Sequence, residues 1–206
     1  MKKKVLLYSR FERFWHWSQA ILIIFLGITG FEIHSSYTLF KYENAVTWHN
    51  IAAWAFLVLI IFAVFWHFIT GQWRQYIPTK KNLKAQIDYY LLGILKKVPH
   101  PTKKTVLSKL NPLQILVYLG LNLLVIPVVV LSGLLYMFFR YPENPFGFFS
   151  LTNISFFHTA GAFLLVTFLI IHVYLITTGH TVFSNLNAML TGYEELDVDE
   201  DEKENK

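Results

Sequence analysis

Four histidines have the residue type and the spacing that two bound haems would need. His158 and His172 lie fourteen residues apart in one uncharged stretch. On a helix, that spacing gives an angular offset of about 40° and an axial rise of about 21 Å. One helix face would therefore present two imidazoles at two depths of a membrane. His16 and His49, in two other apolar stretches, are placed to be their partners.

The composition excludes an ordinary soluble domain. Of the 206 residues, 54% are hydrophobic and only 15% are charged, and the uncharged runs cover residues 14–31, 44–73, 110–139 and 144–193. Each run supplies the roughly 20 apolar residues that a spanning helix needs. We expect an all-α integral membrane protein, a bundle of four transmembrane helices. Their expected ranges are about 14–33, 45–68, 113–139 and 155–177. The first helix should be retained, because no small-residue cleavage site follows it.

The distribution of Lys and Arg predicts the orientation of the chain. Nine of these 18 residues lie in the loop 71–109 and five precede the first span, whereas the other two loops have one each, Lys41 and Arg140. Positively charged loops stay in the cytoplasm. Both termini and the loop 71–109 are therefore expected to be cytoplasmic, in the bacterial cytoplasmic (inner) membrane. The net charge of +5 reflects this topology, so we expect membrane lipid and no nucleic acid as a partner.

Two hydrophilic segments complete the predicted organisation of a membrane domain over residues 1–193. Within the cytoplasmic loop, apolar residues repeat at helical spacing, and these are Leu83, Ile87, Leu91, Ile94 and Leu95. The repeat indicates a helix lying on the cytoplasmic leaflet, although a short amphipathic packing helix has the same pattern. From Glu194 onward, eight acidic residues fall in thirteen, which predicts an acidic disordered tail over residues 194–206.

The predicted topology pairs the histidines by depth. His16 and His172 lie at the cytoplasmic ends of their helices, and His49 and His158 lie at the outer ends. Haem iron accepts two neutral imidazoles as axial ligands, and ionisable groups within a membrane are usually functional. We therefore predict two b-type haems, ligated by His16 with His172 and by His49 with His158. The chain has no cysteine, so the haems are held non-covalently. The alternative is that each histidine is hydrogen-bonded to a neighbour and binds nothing.

Other residues are weaker candidates for the haem sites. His67 lies eighteen residues from His49 and shares its helix face at the cytoplasmic end. It is a competitor of His16 for the inner iron, or a contact for a substrate near that haem. Arg10, Arg13 and Arg140 are candidate partners for haem propionates. No catalytic residue is identified.

Several short motifs resemble those of known membrane cytochromes. The motifs are Arg13-Phe14-Trp15-His16-Trp17, Trp48-His49, and His158 through His172-Val173-Tyr174. They resemble the di-haem cytochrome b subunits of formate dehydrogenase-N and nickel–iron hydrogenases. The thiosulfate-reductase-type cytochrome b subunits look closer still. That closer resemblance is carried by Asn111-Pro112-Leu113-Gln114, Trp73-Arg74-Gln75-Tyr76-Ile77-Pro78, and Thr178-Gly179-His180-Thr181 followed by Leu190-Thr191-Gly192-Tyr193-Glu194. The resemblance covers nearly the whole chain except the acidic tail.

The resemblance implies a four-helix bundle, the same haem pairing and a quinone site beside the inner haem. The quinone, of the menaquinone type, would contact Asn111 and Gln114, while Lys109, Arg74 and His67 are candidates for its proton path. A role of Asn111 as the N-cap before Pro112 fits the sequence equally well. The resemblance also implies a redox partner on the outer face, such as an iron–sulfur, molybdopterin or multihaem c-type subunit. The chain would then be an electron-transfer subunit of a quinone-linked respiratory oxidoreductase.

Three other functions remain open from the sequence. The chain could be a membrane-anchor subunit without its own quinone site, or a stand-alone transmembrane reductase of ferric complexes. It could also be a metal-ion transporter that uses the histidines as ligands. The scarcity of carboxylates argues against the transporter, because Glu32 alone borders a span and divalent-ion routes usually recruit carboxylates.

Overall fold

The computed structural model describes residues 2–93, 96, 98, 101, 102, 105, 109–139, 150–179 and 181–197. Four helices in this part of the chain are long and apolar enough to span a membrane. They are Arg10–Ile33, Tyr42–Thr70, Pro112–Phe138 and Leu151–Ile176. The prediction of four membrane-spanning helices is confirmed, and each helix begins slightly before its predicted first residue.

The elements follow in a simple order along the chain. The described helices are α1 (Arg10–Ile33), α2 (Tyr42–Thr70), α3 (Leu83–Asp88), α4 (Pro112–Gly120), α5 (Ile126–Phe138), α6 (Leu151–Ile176) and α7 (Ser184–Thr191), and the two strands are β1 (Lys2–Leu6) and β2 (Tyr193–Asp197). A 3₁₀ turn, Gln72–Tyr76, follows α2. Two compact units contain these elements, one made of Met1–Phe14, Gly71–Tyr118 and His172–Lys206, the other of Trp15–Thr70 and Leu119–Ile171.

The start of α1 is set by a capping box that precedes the apolar run. The backbone N–H of Ser9 donates to Glu12 Oε2 at 2.7 Å, and the N–H of Glu12 donates to Ser9 Oγ at 3.2 Å. These two bonds satisfy donors that a helix N-terminus leaves without partners. The helix therefore begins at Arg10, whereas hydrophobicity alone placed its start at residue 14.

The third span is one continuous helix with a wide turn in its middle. Between α4 and α5, the segment Leu121–Val125 forms a π-helical turn, and the N–H of Ile126 donates to the carbonyl of Leu121. Pro127 follows, and it has no N–H to donate to the preceding turn. A wide turn is a common way for a helix to pass such a position. The span thus stays helical across its proline.

The two strands pair as an antiparallel ribbon that joins the ends of the described chain. In its register Lys4 lies opposite Glu195. Opposite charges across a strand pair contribute about 0.2–1 kcal/mol each. The predicted disorder from Glu194 is therefore wrong for residues 194–197, because the acidic run there meets a basic strand. Residues 198–206 of the predicted tail lie outside the described residues.

Backbone and side-chain bonds anchor this ribbon to α1. The N–H groups of Leu7 and Tyr8 both donate to the carbonyl of Gly192, at 2.8 and 3.1 Å. Gly192 has φ +90°, a left-handed conformation that favours glycine. Arg13 Nη1 donates to the carbonyl of Leu190 at 2.6 Å, which ties α1 to the end of α7.

The predicted interfacial helix is present in part. The segment α3 covers Leu83–Asp88 and continues into a wide turn over Tyr89–Gly93, while Ile94 and Leu95 lie outside the described residues. Leu91 is 68% exposed, whereas Gln86 is completely buried. Contact of this segment with the cytoplasmic leaflet stays a prediction.

Helices α5 and α6 approach closely at a glycine. A Cβ atom added to Gly161 would overlap the Cγ2 methyl of Val129. Small residues at helix contacts allow such an approach in membranes, where van der Waals packing drives association. The contact fixes α6 against α5 one turn from His158.

Replacing Gly161 with Ala should destabilise the protein by about 1–3 kcal/mol, because the new methyl group overpacks the contact with Val129. Thermal unfolding of the detergent-solubilised protein measures this change. Adding Val129→Ala should restore stability. The control is Gly120→Ala, at a helical glycine whose added Cβ would meet nothing within 4 Å. Equal destabilisation by Gly161→Ala and by the control would contradict the close contact.

Candidate functional site

The histidines predicted for the outer side lie close together. The ring of His49 on α2 and the ring of His158 on α6 have centroids 6.3 Å apart, with their planes at 73°. Imidazole nitrogen binds a first-row metal at about 2.0–2.1 Å, so two rings on one metal have centroids about 6 Å apart. The separation therefore suits one iron between the two side chains.

The orientation of His49 is set by α1. Thr29 Oγ1 lies 2.9 Å from His49 Nδ1. The hydroxyl proton of Thr29 is directed to the carbonyls of its own helix, 2.9 Å from that of Phe25 and 3.2 Å from that of Leu26. Because that single proton is used there, the hydroxyl oxygen accepts the N–H of His49 Nδ1. The lone pair of this imidazole is thereby placed on Nε2.

The same arrangement recurs around His158, with α5 in the place of α1. Ser132 Oγ lies 3.2 Å from His158 Nδ1, and the carbonyl of Val129 lies 3.1 Å from the same nitrogen. The hydroxyl of Ser132 donates to the carbonyl of Val128 at 2.5 Å. His158 is therefore also a donor at Nδ1. A partner that fixes one ring nitrogen in this way is what metal-ligating histidines almost always have.

A glycine follows each of these two hydroxyl residues and gives the imidazole room. A Cβ on Gly30 would lie 3.5 Å from His49 Cε1, and a Cβ on Gly133 would lie 3.1 Å from His158 Cε1. The dipeptides Thr29-Gly30 and Ser132-Gly133 thus have equivalent roles in two helices. Sequence reasoning missed them. The available signal was a hydroxyl beside a glycine, repeated in two otherwise apolar spans.

The donor set of this pair fits a haem. Neither Nε2 of His49 nor that of His158 accepts a hydrogen bond from any residue that the structure describes. A bare metal ion usually needs three or four protein ligands. Groups of three or more His, Cys, Asp or Glu that could hold one are absent from the described residues. In a haem the porphyrin supplies four nitrogen ligands, and the protein supplies up to two more. His49 and His158 could be those two.

The two histidines predicted for the inner haem have separate surroundings. His172 Nδ1 lies 3.4 Å from the hydroxyl of Tyr118, and the two ring centroids are 6.5 Å apart. The ring of His16 meets that of Trp17 edge-on at 5.2 Å. His16 and His172 belong to different compact units, and their pairing stays a prediction.

His67 is engaged within α2 and with neighbouring aromatic rings. Its Nδ1 donates to the carbonyl of Ala63 at 2.7 Å. The rings of Trp15 and Trp66 stand edge-on to it at 5.3 and 5.1 Å. Packing and hydrogen bonding with these neighbours are sufficient to account for the position of the His67 ring. A role of His67 in iron or quinone binding stays a prediction.

Asn111 and Gln114 form a capping box at the start of α4. The N–H of Gln114 donates to Asn111 Oδ1 at 2.8 Å, and the N–H of Asn111 donates to Gln114 Oε1 at 3.0 Å. Pro112 occupies the first helical position between them, where its missing N–H has no cost. The interpretation of Asn111 as an N-cap is confirmed. Both amide oxygens are consequently committed to the helix end.

The amide nitrogens of these two residues differ. Asn111 Nδ2 donates to the hydroxyl of Tyr90 at 3.0 Å. Burial raises the pKa of Tyr90, and the bond from Asn111 offsets part of that increase. Beside Tyr90, the fully buried Gln86 accepts a bond from Thr102 Oγ1 at 3.0 Å. Gln114 Nε2 makes no hydrogen bond to a described residue, so Gln114 keeps an amide donor that a ligand can use.

A buried ion pair lies in the same compact unit. Lys109 Nζ is 2.5 Å from Glu12 Oε1, and the two side chains are 9% and 14% exposed. The ammonium of Lys109 also lies 5.7 Å from the centroid of the Tyr8 ring. Burial raises the pKa of Tyr76 to about 12, with a smaller contribution from the charge of Glu12. Tyr76 therefore stays neutral at physiological pH.

The arginines predicted as propionate partners have different surroundings. Arg13 already donates to the carbonyl of Leu190, and its buried Nε has no partner among the described residues. Arg10 is exposed, and Arg140 lies outside the described residues. Arg74, suggested for the proton path, lies over the ring of Trp73 at 5.9 Å. Propionate binding by Arg10, Arg13 and Arg140 stays a prediction.

Replacing Thr29 with Val should weaken haem binding at His49 about tenfold, because the ligand loses a hydrogen-bonding partner at Nδ1. The rate of haem transfer from the purified protein to excess apomyoglobin measures the loss. Thr70→Val is the matched control, since among the described residues the Thr70 hydroxyl bonds the carbonyl of Trp66 alone. Equal transfer rates in the two variants would show that Thr29 does not support the ligand.

Comparison with known proteins identifies the family of this chain. The family model described as "Prokaryotic cytochrome b561" matches residues 7–192. The chain is also 29% identical over 198 residues to "Putative cytochrome YdhU" of Escherichia coli (strain K12), covering 93% of this chain and 75% of that protein. A cytochrome of this family binds b-type haem, carries electrons and is a multi-pass protein of the bacterial inner membrane. With its four apolar helices and nearly full-length match, the chain belongs to the prokaryotic cytochrome b561 family.

Proposed function

We propose that this chain is a two-haem cytochrome that carries electrons between a quinone pool and a redox partner on the outer face. The pair His49 and His158 is the observation that carries the proposal. The two rings have the separation that one iron needs. Their Nδ1 atoms are held from α1 and α5, which leaves both Nε2 atoms for the metal.

The protein's contribution to this function is to hold the histidine ligands in position. Thr29 and Ser132 hold the two imidazoles in one tautomer and one orientation, so little rearrangement accompanies a change of iron charge. When bound, haem supplies a one-electron iron centre between the two histidines. His172 and His16 are proposed to hold a second haem at the cytoplasmic side.

A quinone site on the cytoplasmic side is the second part of the proposal. Gln114 Nε2 is an uncommitted amide donor, and a quinone carbonyl needs a donor of this kind without a buried charge. The hydroxyl of Tyr90 and the ion pair of Glu12 and Lys109 lie in the same compact unit. They are candidates to pass protons between the quinone and water. A menaquinone is the proposed quinone.

The redox partner is proposed to be a subunit outside the membrane, of the iron–sulfur, molybdopterin or multihaem c type. An electron that crosses the membrane exchanges about 2.3 kcal/mol per 100 mV of potential. The chain would therefore couple the partner's reaction to the membrane potential. Its place would be as an electron-transfer subunit of a respiratory oxidoreductase.

One observation favours a second candidate, a membrane anchor with haems but without a quinone site. Both amide ends of Asn111 are used by the fold, in the helix cap and in the bond to Tyr90. A residue that is fully occupied by its own protein needs no ligand to explain it. Gln114 is therefore the residue that separates the two candidates.

Replacing either His49 or His158 with Ala should remove one of two b haems, and replacing His16 or His172 should remove the other. The reason is that a haem with one axial histidine loses half of its protein ligation. A pyridine haemochrome assay with a redox titration on the purified protein measures both outcomes. His67→Ala is the control and should keep two haems. Loss of a haem in His67→Ala but not in His16→Ala would overturn the inner pairing.

Replacing Gln114 with Glu should slow quinol-driven haem reduction about tenfold. A Glu side chain keeps the oxygen that accepts the Asn111 N–H in a capping box, but it removes the amide donor. One lost hydrogen bond is worth about 0.5–1.5 kcal/mol, which sets this magnitude. Stopped-flow spectroscopy of the haem bands measures the rate. Asn111→Asp, which keeps the cap but loses the donor to Tyr90, is the matched variant.

The unfolding temperature of Gln114→Glu should match that of the original protein, because the cap is preserved. Asn111→Asp also keeps the cap but loses its bond to Tyr90, so its unfolding temperature should be slightly lower. An unchanged rate of haem reduction in Gln114→Glu would favour the anchor without a quinone site. Dithionite reduces haem without a protein-bound quinone, so it should give equal haem reduction in all variants and serves as the internal control.

A further inference from the structure

A cavity of about 500 Å³ lies along one side of α6, at the end of the helix that carries His158. Its lining includes His34, Thr152, Ser155, Phe156, Thr159 and Phe163. All except His34 come from the first half of α6, and His34 directly follows α1. The cavity has the size of a small-molecule site and lies within one compact unit.

The hydroxyl of Thr159 lacks the bond to its own helix that four other helical threonines make. Thr29, Thr47, Thr70 and Thr167 each donate to the carbonyl four residues earlier. Thr159 makes no such bond, nor any other hydrogen bond to a residue that the structure describes. A hydroxyl that does not bond its own helix within a membrane span needs a partner from elsewhere. It faces the cavity, where a ligand oxygen would supply that partner.

His34 supplies a second polar group with unused hydrogen-bonding capacity. Neither of its ring nitrogens bonds a described residue. An imidazole with one donor and one acceptor nitrogen can bond either a carbonyl or a hydroxyl oxygen. The cavity therefore offers polar groups that can bond a ligand with carbonyl oxygens and also its reduced form with hydroxyl oxygens.

Two phenylalanines line the cavity, which is open on one side. Phe156 and Phe163 are 66% and 55% exposed on a helix that spans the bilayer, so their outer surfaces meet lipid. A ligand that enters between them must be soluble in hydrocarbon. The two phenylalanine rings also favour a flat ring as the ligand, because aromatic rings attract one another in offset-stacked and edge-to-face arrangements.

We propose that this cavity is a second quinone-binding site, on the outer side of the membrane beside His158. A quinone is flat, lipid-soluble and carries an oxygen at each end of its ring. One oxygen would bond the hydroxyl of Thr159 and the other would bond His34. This site is separate from the cytoplasmic quinone site near Gln114, and it does not depend on that site.

The test is quinone binding to the haem-loaded protein in lipid nanodiscs, with menadione as the probe. Isothermal titration calorimetry should resolve two sites in the original protein. Thr159→Val has nearly the same shape and should raise the Kd of one site about tenfold, the value of one hydrogen bond. His34→Gln, in the loop after α1, should weaken the same site. Thr167→Val, on the same helix but bonded to Phe163, is the matched control and should change nothing.

Other outcomes would overturn the proposal. Unchanged menadione binding in Thr159→Val and His34→Gln would do so. Loss of the outer haem in these variants, with menadione binding intact, would show that the groups hold haem propionates instead. The two quinone sites can fail independently. Weakened binding in Thr159→Val together with unchanged binding in Gln114→Glu would support the outer site and overturn the cytoplasmic one.

Discussion

The absence of water from the hydrocarbon core constrains everything else in this protein. A polar group there must find its partner within the protein, or it costs several kcal/mol. The structure meets this demand with the Thr29 hydroxyl at Nδ1 of His49, and with the Ser132 hydroxyl and the Val129 carbonyl at Nδ1 of His158. The same bonds make Nδ1 the hydrogen-bond donor of each imidazole. The lone pair of each ring is therefore on Nε2, where it can bind a metal.

Six hydroxyl groups of the spans show three different arrangements under this constraint. Those of Thr47, Thr70 and Thr167 bond only their own helix. Those of Thr29 and Ser132 bond their own helix and also accept an imidazole N–H. The hydroxyl of Thr159 does neither within the described residues. A residue type that usually has no functional meaning in a helix becomes informative once its hydrogen bonds are followed.

The sequence predicts the spans well, because twenty apolar residues in succession leave few alternatives. It predicts helix starts poorly when a polar capping box precedes the apolar run, as Ser9 and Glu12 do for α1. Depth matching brings His49 and His158 to one level, and in the structure their rings are 6.3 Å apart. The roles of Thr29 and Ser132 depend on helix rotation, which hydrophobicity does not specify. The strand at Glu194 depends on residues about 190 positions away, so no local pattern reveals it.

The ribbon of β1 and β2 has a consequence for the order of assembly. Ribosomes deliver the N-terminus first, and domains generally fold as the chain emerges. Among the described strands, β1 pairs with β2, whose last residue is Asp197. Lys2–Leu6 must therefore wait for this pairing until all four spans have been synthesised. A ribosome stalled before β2 leaves the basic strand β1 without its partner.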